Sequence, residues 1–284
     1  MIVITGAKGQ LGFDIEKVCI NHNIDVQGID RSDLDITDKE AVENFFKNNK
    51  FDTLIHCAAF TAVDLAEDEV ELCYNVNTHA TINLANVCKK YNVKLVLIST
   101  DYVFDGTKEG FYDVNDQASA QSVYGKSKAE AEAYIQKILV KYFIIRISWV
   151  FGLNGKNFIR TMINLGKTKD EISVVSDQYG SPTYTKDVAK LIIEIAMSEK
   201  YGIYHATNEG ECSWADLASY VFTKLGYKTN IKYILTKEYK TKAIRPLNSR
   251  LSKDKLDKMG FTRLPSWQDA VDRYLIELKE EGLI

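Results

Sequence analysis

Short apolar runs alternate with longer amphipathic stretches through the first half of the chain. The runs are rich in Val, Ile and Leu, a composition that is typical of strands buried on both faces of a parallel sheet. They lie at residues 2–4, 25–30, 53–57, 93–99 and 142–147. Strands that alternate with helices form parallel βαβ units with right-handed crossovers, so the pattern predicts an α/β fold with a doubly wound parallel sheet.

The amphipathic stretches predict the helices that connect and follow these strands. In the first half they cover residues 13–20, a segment that starts near Asp38, residues 67–90 and a segment from Ser122 onward. In the second half they cover residues 157–165, 185–198, 213–225 and 266–279.

A glycine-rich loop lies directly between the first strand and the first helix. Gly6, Gly9 and Gly12 form a GxxGxxG pattern that also contains Gln10 and Leu11. Strand, glycine loop and helix occur in the order that a Rossmann-like dinucleotide fold requires, with the pyrophosphate at the helix N-terminus. The segment therefore predicts a dinucleotide site, and a glycine turn without a ligand is the alternative.

The end of the second strand predicts how the adenosine half of the dinucleotide is held. A carboxylate at Asp30 can accept hydrogen bonds from the ribose hydroxyls of NAD, whereas the guanidinium of Arg31 suits a 2′-phosphate. Asp35 and Ile36 follow in a short loop where an adenine could be held, and Asp38 is also a good helix cap. The sequence favours NAD(H) and leaves NADP(H) open.

Two further strand ends complete the predicted cofactor site. The third strand leads into Ala58, Ala59, Phe60 and Thr61, where the small residues let the backbone pass close to a ligand. Ser99 lies at the end of the fourth strand. Since the carboxyl ends of parallel strands meet at one edge of the sheet, we expect these residues to line the same crevice as the glycine loop.

Tyr124 and Lys128 are four residues apart on a predicted helix, so the phenol and the ammonium lie on one face. Lowering the pKa of a tyrosine from about 10 to about 7 requires roughly 4 kcal/mol. A lysine charge about 4 to 5 Å away supplies roughly 3 to 4 kcal/mol at an effective dielectric constant of about 20. The pair predicts a phenol made acidic enough to donate a proton, and an ordinary solvated helix face is the alternative.

Composition excludes several other classes of function. Of the 284 residues 45% are apolar and 26% charged, and the net charge is −3, so no basic field points to nucleic acid or to an anionic membrane. No apolar run approaches the span of a bilayer, and the N-terminus begins the first strand without a leader, so we expect a cytoplasmic protein. The five cysteines form no CxxC pair and read as reduced thiols, and the four isolated histidines predict no transition-metal site.

Taken together, these segments resemble the extended short-chain dehydrogenase/reductase family, and within it the dTDP-4-dehydrorhamnose reductases. The glycine loop and the YxxxK pair are shared across the whole superfamily. Narrower motifs are Ser99-Thr100-Asp101-Tyr102-Val103-Phe104, Asp177-Gln178-Tyr179-Gly180 and Arg245-Pro246-Leu247-Asn248-Ser249-Arg250-Leu251. One departure is that Ala120 and Ser122 stand where the family often has proline and asparagine.

The resemblance implies reduction of the C4 keto group of dTDP-4-dehydro-L-rhamnose to dTDP-L-rhamnose by reduced nicotinamide. Tyr124 would donate the proton, Lys128 would stabilise the tyrosinate and hold the nicotinamide ribose, and Thr100 would hydrogen-bond the carbonyl oxygen. An alternative for Thr100 is that its hydroxyl only satisfies backbone at a strand end. Asp101 and Trp149 would line the sugar pocket, and Arg250, with its neighbours in the segment 245–251, would help hold the substrate.

The resemblance also implies two regions. We expect residues 1–148, with parts of 170–207, to form the dinucleotide-binding domain, and residues 149–284 to form mainly a smaller nucleotide-sugar-binding lobe that closes over the crevice. No Pro/Gly/Ser linker separates them, so one compact unit is expected.

Three alternatives stay open from the sequence. A sister reductase would act on another nucleotide-linked 4-ketosugar. A relative in this superfamily would dehydrate or epimerise nucleotide sugars with tightly held NAD⁺; the dehydratases carry a glutamate after the Thr-Asp pair, where this chain has Tyr102, so a net reductase is favoured. A regulatory subunit would bind dinucleotide without turnover. A homodimer, with or without a magnesium ion at its interface, is also left open.

Overall fold

The computed structural model describes residues 1–284 as thirteen strands and eleven α-helices. The strands are β1 (Ile2–Thr5), β2 (Val26–Ile29), β3 (Thr53–His56), β4 (Lys94–Thr100), β5 (Tyr142–Ile147), β6 (Val150–Phe151), β7 (Glu171–Val175), β8 (Tyr179–Gly180), β9 (Thr183–Tyr184), β10 (Gly202–His205), β11 (Cys212–Ser213), β12 (Asn230–Ile234) and β13 (Asn248–Ser249). The α-helices are α1 (Gln10–Asn21), α2 (Lys39–Asn48), α3 (Val63–Ala66), α4 (Val70–Tyr74), α5 (Ala80–Tyr91), α6 (Val123–Ile138), α7 (Phe158–Gly166), α8 (Thr185–Ala196), α9 (Trp214–Leu225), α10 (Asp254–Lys258) and α11 (Trp267–Glu280).

Six strands form one parallel sheet in the order β10-β5-β4-β3-β1-β2. The chain leaves β1 to form β2 on one side and then returns to form β3 on the other side of β1. This reversal is the switch point of a doubly wound sheet, where ligands bind outside the carboxyl ends of the strands. The predicted doubly wound parallel sheet is confirmed.

Residues that alternate along β1 explain why helices cover both faces of this sheet. Ile2 and Ile4 point to one face, where they pack in a cluster with apolar residues of α1 and α8. Val3 points to the other face and packs with residues of α2, α5 and α6. Because both faces are buried, Ile2, Val3 and Ile4 are all apolar, which explains the apolar run at the start of the sequence.

The helix predicted over residues 67–90 is interrupted in the structure. A π-helical segment, Asn75–His79, joins α4 to α5, and Glu67 lies before α4. The carboxylate of Glu67 accepts a hydrogen bond from the backbone N–H of Val123 (2.9 Å), at the first residue of α6. Asn77 in the π segment accepts from the Phe60 N–H (2.8 Å) and donates to the Phe60 carbonyl (3.1 Å), which ties this segment to the loop after β3.

The C-terminal half contributes to both parts of the molecule. Apolar side chains of α7, α9 and α11 form a separate core, flanked by the β7–β12 pair; these elements and the loops between them are called the second lobe below. Residues 170–207, parts of which were expected in the dinucleotide-binding domain, contribute to both cores. Strand β7 lies in the second core, whereas α8 packs on the central sheet and β10 is one of its strands. The domain boundaries at 148 and 149 stay a prediction. No helix combines the length and the apolar composition needed to cross a bilayer.

Candidate active site

A cleft of about 930 Å³ runs along the carboxyl ends of β1, β3 and β4 and is roofed by residues of the second lobe. All but one of the residues singled out from the sequence line it. Those predicted to bind the dinucleotide are Gly6, Gly9, Gln10, Leu11, Gly12, Asp30, Arg31, Asp35, Ile36, Ala58, Ala59, Phe60, Thr61, Ser99, Tyr124 and Lys128. Tyr124 and Lys128 were also predicted to be catalytic, with Thr100, and the lining residues predicted to bind the sugar nucleotide are Thr100, Asp101 and Trp149.

The glycine loop packs so closely that one position excludes any side chain. A Cβ atom at Gly12 would lie 2.3 Å from the carbonyl oxygen of Gly6. Helix α1 begins at Gln10, and Gly9 precedes it without a side chain that could cap the helix. The free N–H groups and the dipole of α1 therefore face the cleft, where they favour a phosphate.

The end of β2 places charged side chains beside this loop. A carboxylate oxygen of Asp30 accepts a hydrogen bond from the Lys8 N–H (2.9 Å), so it lies next to the glycine loop. The Arg31 side chain is 85% exposed, and its Nε lies 3.7 Å from Asp35. Hydrogen bonds from Thr37 hold the pKa of Asp35 below its usual range. Arg31 therefore has only a weak partner at the mouth of the cleft.

Helix α6 presents Tyr124 and Lys128 to the cleft. The helix starts at its Ser122 cap, whose hydroxyl accepts from the Gly125 N–H (3.1 Å). Lys128 is only 2% exposed, and its ammonium donates to the carbonyl oxygen of Ile98 (2.7 Å) in β4. The chain thus holds one buried ammonium beside the strand end that carries the other predicted catalytic residue.

Thr100 ends β4 and contacts groups on two sides. Its hydroxyl donates to Asp101 (2.9 Å) and accepts from the Tyr102 N–H (3.2 Å), which caps the short 3-10 turn after β4. The Thr100 side chain also interacts with the Tyr124 phenol and thereby opposes part of the rise in the pKa of that phenol. The structure therefore shows the backbone role given above as the alternative, together with a position beside the phenol.

The electrostatics of the tyrosine differ from the sequence prediction. Burial raises the pKa of Tyr124, because the phenolate loses its hydration in the cleft. Burial also lowers the pKa of Lys128 to about 8, partly opposed by the charge of Glu132. The predicted acidic phenol is therefore wrong for the protein itself: desolvation outweighs the attraction between the two groups. A neutral phenol is nevertheless the form that can donate a proton.

Aromatic residues line the far end of the cleft. Trp149 has a backbone φ of +51°, a conformation that is rare for residues other than glycine. Its ring stacks on Trp214 with centroids 3.7 Å apart and planes 13° apart. The Tyr102 ring lies edge-on to the Tyr124 ring at 5.6 Å. Near these rings, burial raises the pKa of Asp101 to about 6. The arrangement forms an apolar pocket with one carboxyl group, which suits a sugar ring.

Arg250 is the one predicted binding residue outside the cleft lining. Its guanidinium donates to Asn248 (2.8 Å) and to Glu211 (3.3 Å) and lies over the Phe111 ring. These partners hold the side chain on a neighbouring surface. The structure thus gives the predicted substrate contact of Arg250 no support.

Several residues of the cleft were not predicted. Gln178 comes from the DQYG motif, to which no role was assigned. Pro246 and Ser249 come from the RPxNSRL motif, whose residues near Arg250 were expected to help hold the substrate, although neither was named. Lys156 and Trp214 lie in segments without any such signal. They reach the cleft only because the second lobe packs over the first.

Residues 1–280 match the family described as RmlD substrate binding domain. The chain belongs to this family. A dTDP-4-dehydrorhamnose reductase of Aggregatibacter actinomycetemcomitans is 40% identical over 95% of this chain and 96% of the relative. A dTDP-4-keto-6-deoxy-D-glucose reductase of Streptomyces niveus is 34% identical over 95% and 94%. This RmlD-family chain also superposes on the crystal structure of a dTDP-4-dehydrorhamnose reductase from Bacillus anthracis in complex with NADP, with a TM-score of 0.94, 39% identity and coverage of 97% and 98%.

Proposed function

We propose that this protein is an NAD(P)H-dependent reductase that converts the C4 keto group of dTDP-4-dehydro-L-rhamnose to the alcohol of dTDP-L-rhamnose. The observation that carries the proposal is the convergence of Thr100, Tyr124 and Lys128 in one cleft with a glycine loop suited to a pyrophosphate. The relative from A. actinomycetemcomitans bears the name of this activity.

The chain has the features that a nicotinamide dinucleotide needs. Gly12 has no side chain, so the loop can pack closely, and the uncapped N-terminus of α1 would bind the pyrophosphate. The carboxylate of Asp30 would bind the ribose. When bound, the reduced dinucleotide supplies the hydride. The B. anthracis relative was crystallised with NADP, and the exposed guanidinium of Arg31 would suit a 2′-phosphate, so we propose that both NADH and NADPH are used.

The residues of the chain would divide the remaining work. Thr100 would orient the keto oxygen beside Tyr124, and the neutral phenol would give its proton to the oxygen as negative charge develops there. The buried ammonium of Lys128 would stabilise the tyrosinate that is left. Trp149 and Asp101 would hold the sugar.

The direct test is consumption of NADH or NADPH on addition of enzymatically generated dTDP-4-dehydro-L-rhamnose, with dTDP-L-rhamnose identified as the product. The Tyr124→Phe variant is the matched control, since it loses only the hydroxyl. No turnover with either dinucleotide would refute the proposal.

A second candidate is reduction of another dTDP-linked 4-ketosugar, because the Streptomyces niveus relative is named for dTDP-4-keto-6-deoxy-D-glucose. Comparison of kcat/KM across a panel of dTDP- and UDP-linked 4-ketosugars separates the two. Elimination chemistry is disfavoured, since Tyr102 in the cleft supplies no carboxylate base. The homodimer and the cytoplasmic location stay predictions, to be checked by light scattering and cell fractionation.

A further inference from the structure

A loop of the second lobe, residues 152–157, lies against the glycine loop. The side-chain amide of Asn154 donates to the carbonyl oxygen of Lys8 (2.6 Å), and the amide of Asn157 donates to the side-chain oxygen of Gln10 (3.2 Å). The two contacts bracket the N-terminus of α1. The loop is therefore fixed to the part of the cleft that is suited to a pyrophosphate.

The conformation of this loop is held by its own contacts. Asn157 caps α7 by accepting from the Arg160 N–H (3.0 Å), and its amide also donates to the Tyr274 hydroxyl (3.0 Å). The Arg160 guanidinium donates to the carbonyl oxygen of Gly155 (3.0 Å). Gly155 has a φ of +84°, and a Cβ there would lie 3.2 Å from the side chain of Gln10. A residue with a side chain would be strained at this position, so the close approach depends on glycine.

Lys156 lies between these anchors and lines the cleft. Only two other cationic side chains do so, and both have other partners: Lys128 donates to Ile98, and Arg31 lies beside Asp35. Lys156 is exposed and forms neither a salt bridge nor a side-chain hydrogen bond within the protein. Its ammonium is thus a free positive charge at the phosphate-binding end of the cleft.

We propose that Lys156 binds the pyrophosphate of the nicotinamide dinucleotide from the side opposite the glycine loop. The N–H groups of α1 can serve one side of a pyrophosphate, and an ammonium on the other side would add charge-assisted hydrogen bonds to it. The loop 152–157 would then retain the cofactor under the second lobe. This inference deepens the proposed function and requires only that the chain bind a dinucleotide.

Arg31 and Lys156 would bind different phosphate groups of the dinucleotide. Arg31 would contact the 2′-phosphate, which only NADP(H) carries. The pyrophosphate is common to NADH and NADPH, so loss of Lys156 should weaken both to the same extent.

Binding is measured by titrating the protein with NADH and with NADPH in the absence of any sugar nucleotide, for example by calorimetry. We expect Lys156→Gln to raise both Kd values about tenfold, or about 1.4 kcal/mol, as for one charge-assisted hydrogen bond at an exposed position. Lys156→Arg should stay within about threefold of the wild type because the charge is kept. Lys167→Gln is the matched control, since Lys167 is an exposed lysine just after α7 and does not line the cleft.

Two further measurements separate a direct contact from a structural effect. Thermal unfolding without dinucleotide should be the same for Lys156→Gln and the wild type. The difference in Kd should shrink as salt is added, because the contact is exposed.

Three outcomes would overturn the inference: unchanged Kd values in Lys156→Gln, a rise for NADPH alone, or, in a separate turnover assay, a rise only in the KM of the nucleotide sugar. The last two would assign the charge to the 2′-phosphate or to the substrate diphosphate. Because no turnover is measured in the titration, a protein that binds dinucleotide but reduces no ketosugar would refute the proposed function and leave this inference standing.

Discussion

Raising the pH above about 8 should lower the rate of reduction, because Lys128 loses its charge. Burial lowers the pKa of this lysine to about 8. A lysine whose pKa is lowered carries its charge below that value and loses it above. If the ammonium stabilises the tyrosinate formed from Tyr124, the rate of reduction must follow the charged fraction.

The size of the effect follows from the two pKa values. With a pKa of about 8, roughly 90% of Lys128 is charged at pH 7 and roughly 10% at pH 9, so kcat/KM should fall about tenfold. With the unperturbed value of about 10.4, roughly 96% would still be charged at pH 9, and the rate would hardly change. The pKa of Tyr124 is raised, so the phenol keeps its proton throughout, and the alkaline limb belongs to the lysine.

The assay is kcat/KM for the nucleotide sugar at saturating reduced dinucleotide, from about pH 6 to about pH 10, with circular dichroism at each pH to verify that the protein stays folded. Lys128→Arg is the control, because a guanidinium stays charged over this range. Its activity should be lower but free of the alkaline limb. A wild-type profile that stays flat above pH 9, or a limb that persists in Lys128→Arg, would refute the reasoning.

Three further predictions concern the site and a buried ion pair, Glu132 with Arg146, that lies behind it. Tyr124→Phe should lower kcat about 100- to 10,000-fold while the Kd for dinucleotide changes little, and near-normal kcat would exclude the proton-donor role. Glu132→Gln should lower the free energy of unfolding in urea by about 3–5 kcal/mol, because it leaves the guanidinium of Arg146, 2.6 Å away, buried without its partner; a loss below about 1 kcal/mol would contradict this. Gly12→Ala should lower both Tm and dinucleotide affinity, since its Cβ would lie 2.3 Å from the Gly6 carbonyl oxygen. Wild-type binding in Gly12→Ala would show that the loop adapts.

The parts of the site that are local in sequence could be predicted from it. The glycine loop follows β1 directly, and the positions of Ala58 and Thr100 follow from strands with uniform apolar composition. Parallel strands bring their carboxyl ends to one edge, so a sequence that locates the strands also locates the cleft. Tyr124 and Lys128 could likewise be placed on one face, because their i, i+4 spacing lies within a single helix.

The rest depends on packing between distant segments. Lys156 and Trp214 reach the cleft because the second lobe covers the glycine loop. The hydrophobic periodicity of a sequence predicts helices and strands but not which distant segments come into contact. Arg250 belongs to a motif that does line the cleft, yet Glu211 and Asn248 hold its side chain elsewhere.

The error about the acidity of Tyr124 has a physical cause that bears on catalysis. The spacing argument counted the attraction between phenolate and ammonium and left out the burial of both groups, which raises the pKa of Tyr124 and lowers that of Lys128. Before the reaction the phenol is neutral, so the lysine has no charge to attract there. The attraction appears only as the proton leaves, and at low dielectric it is then strongest. An interaction that is absent in the ground state and present in the transition state lowers the barrier without tightening substrate binding. Burial of the pair thus makes Lys128 act on the rate of proton transfer, and for that reason the charge of Lys128 should show in the pH profile of the reaction.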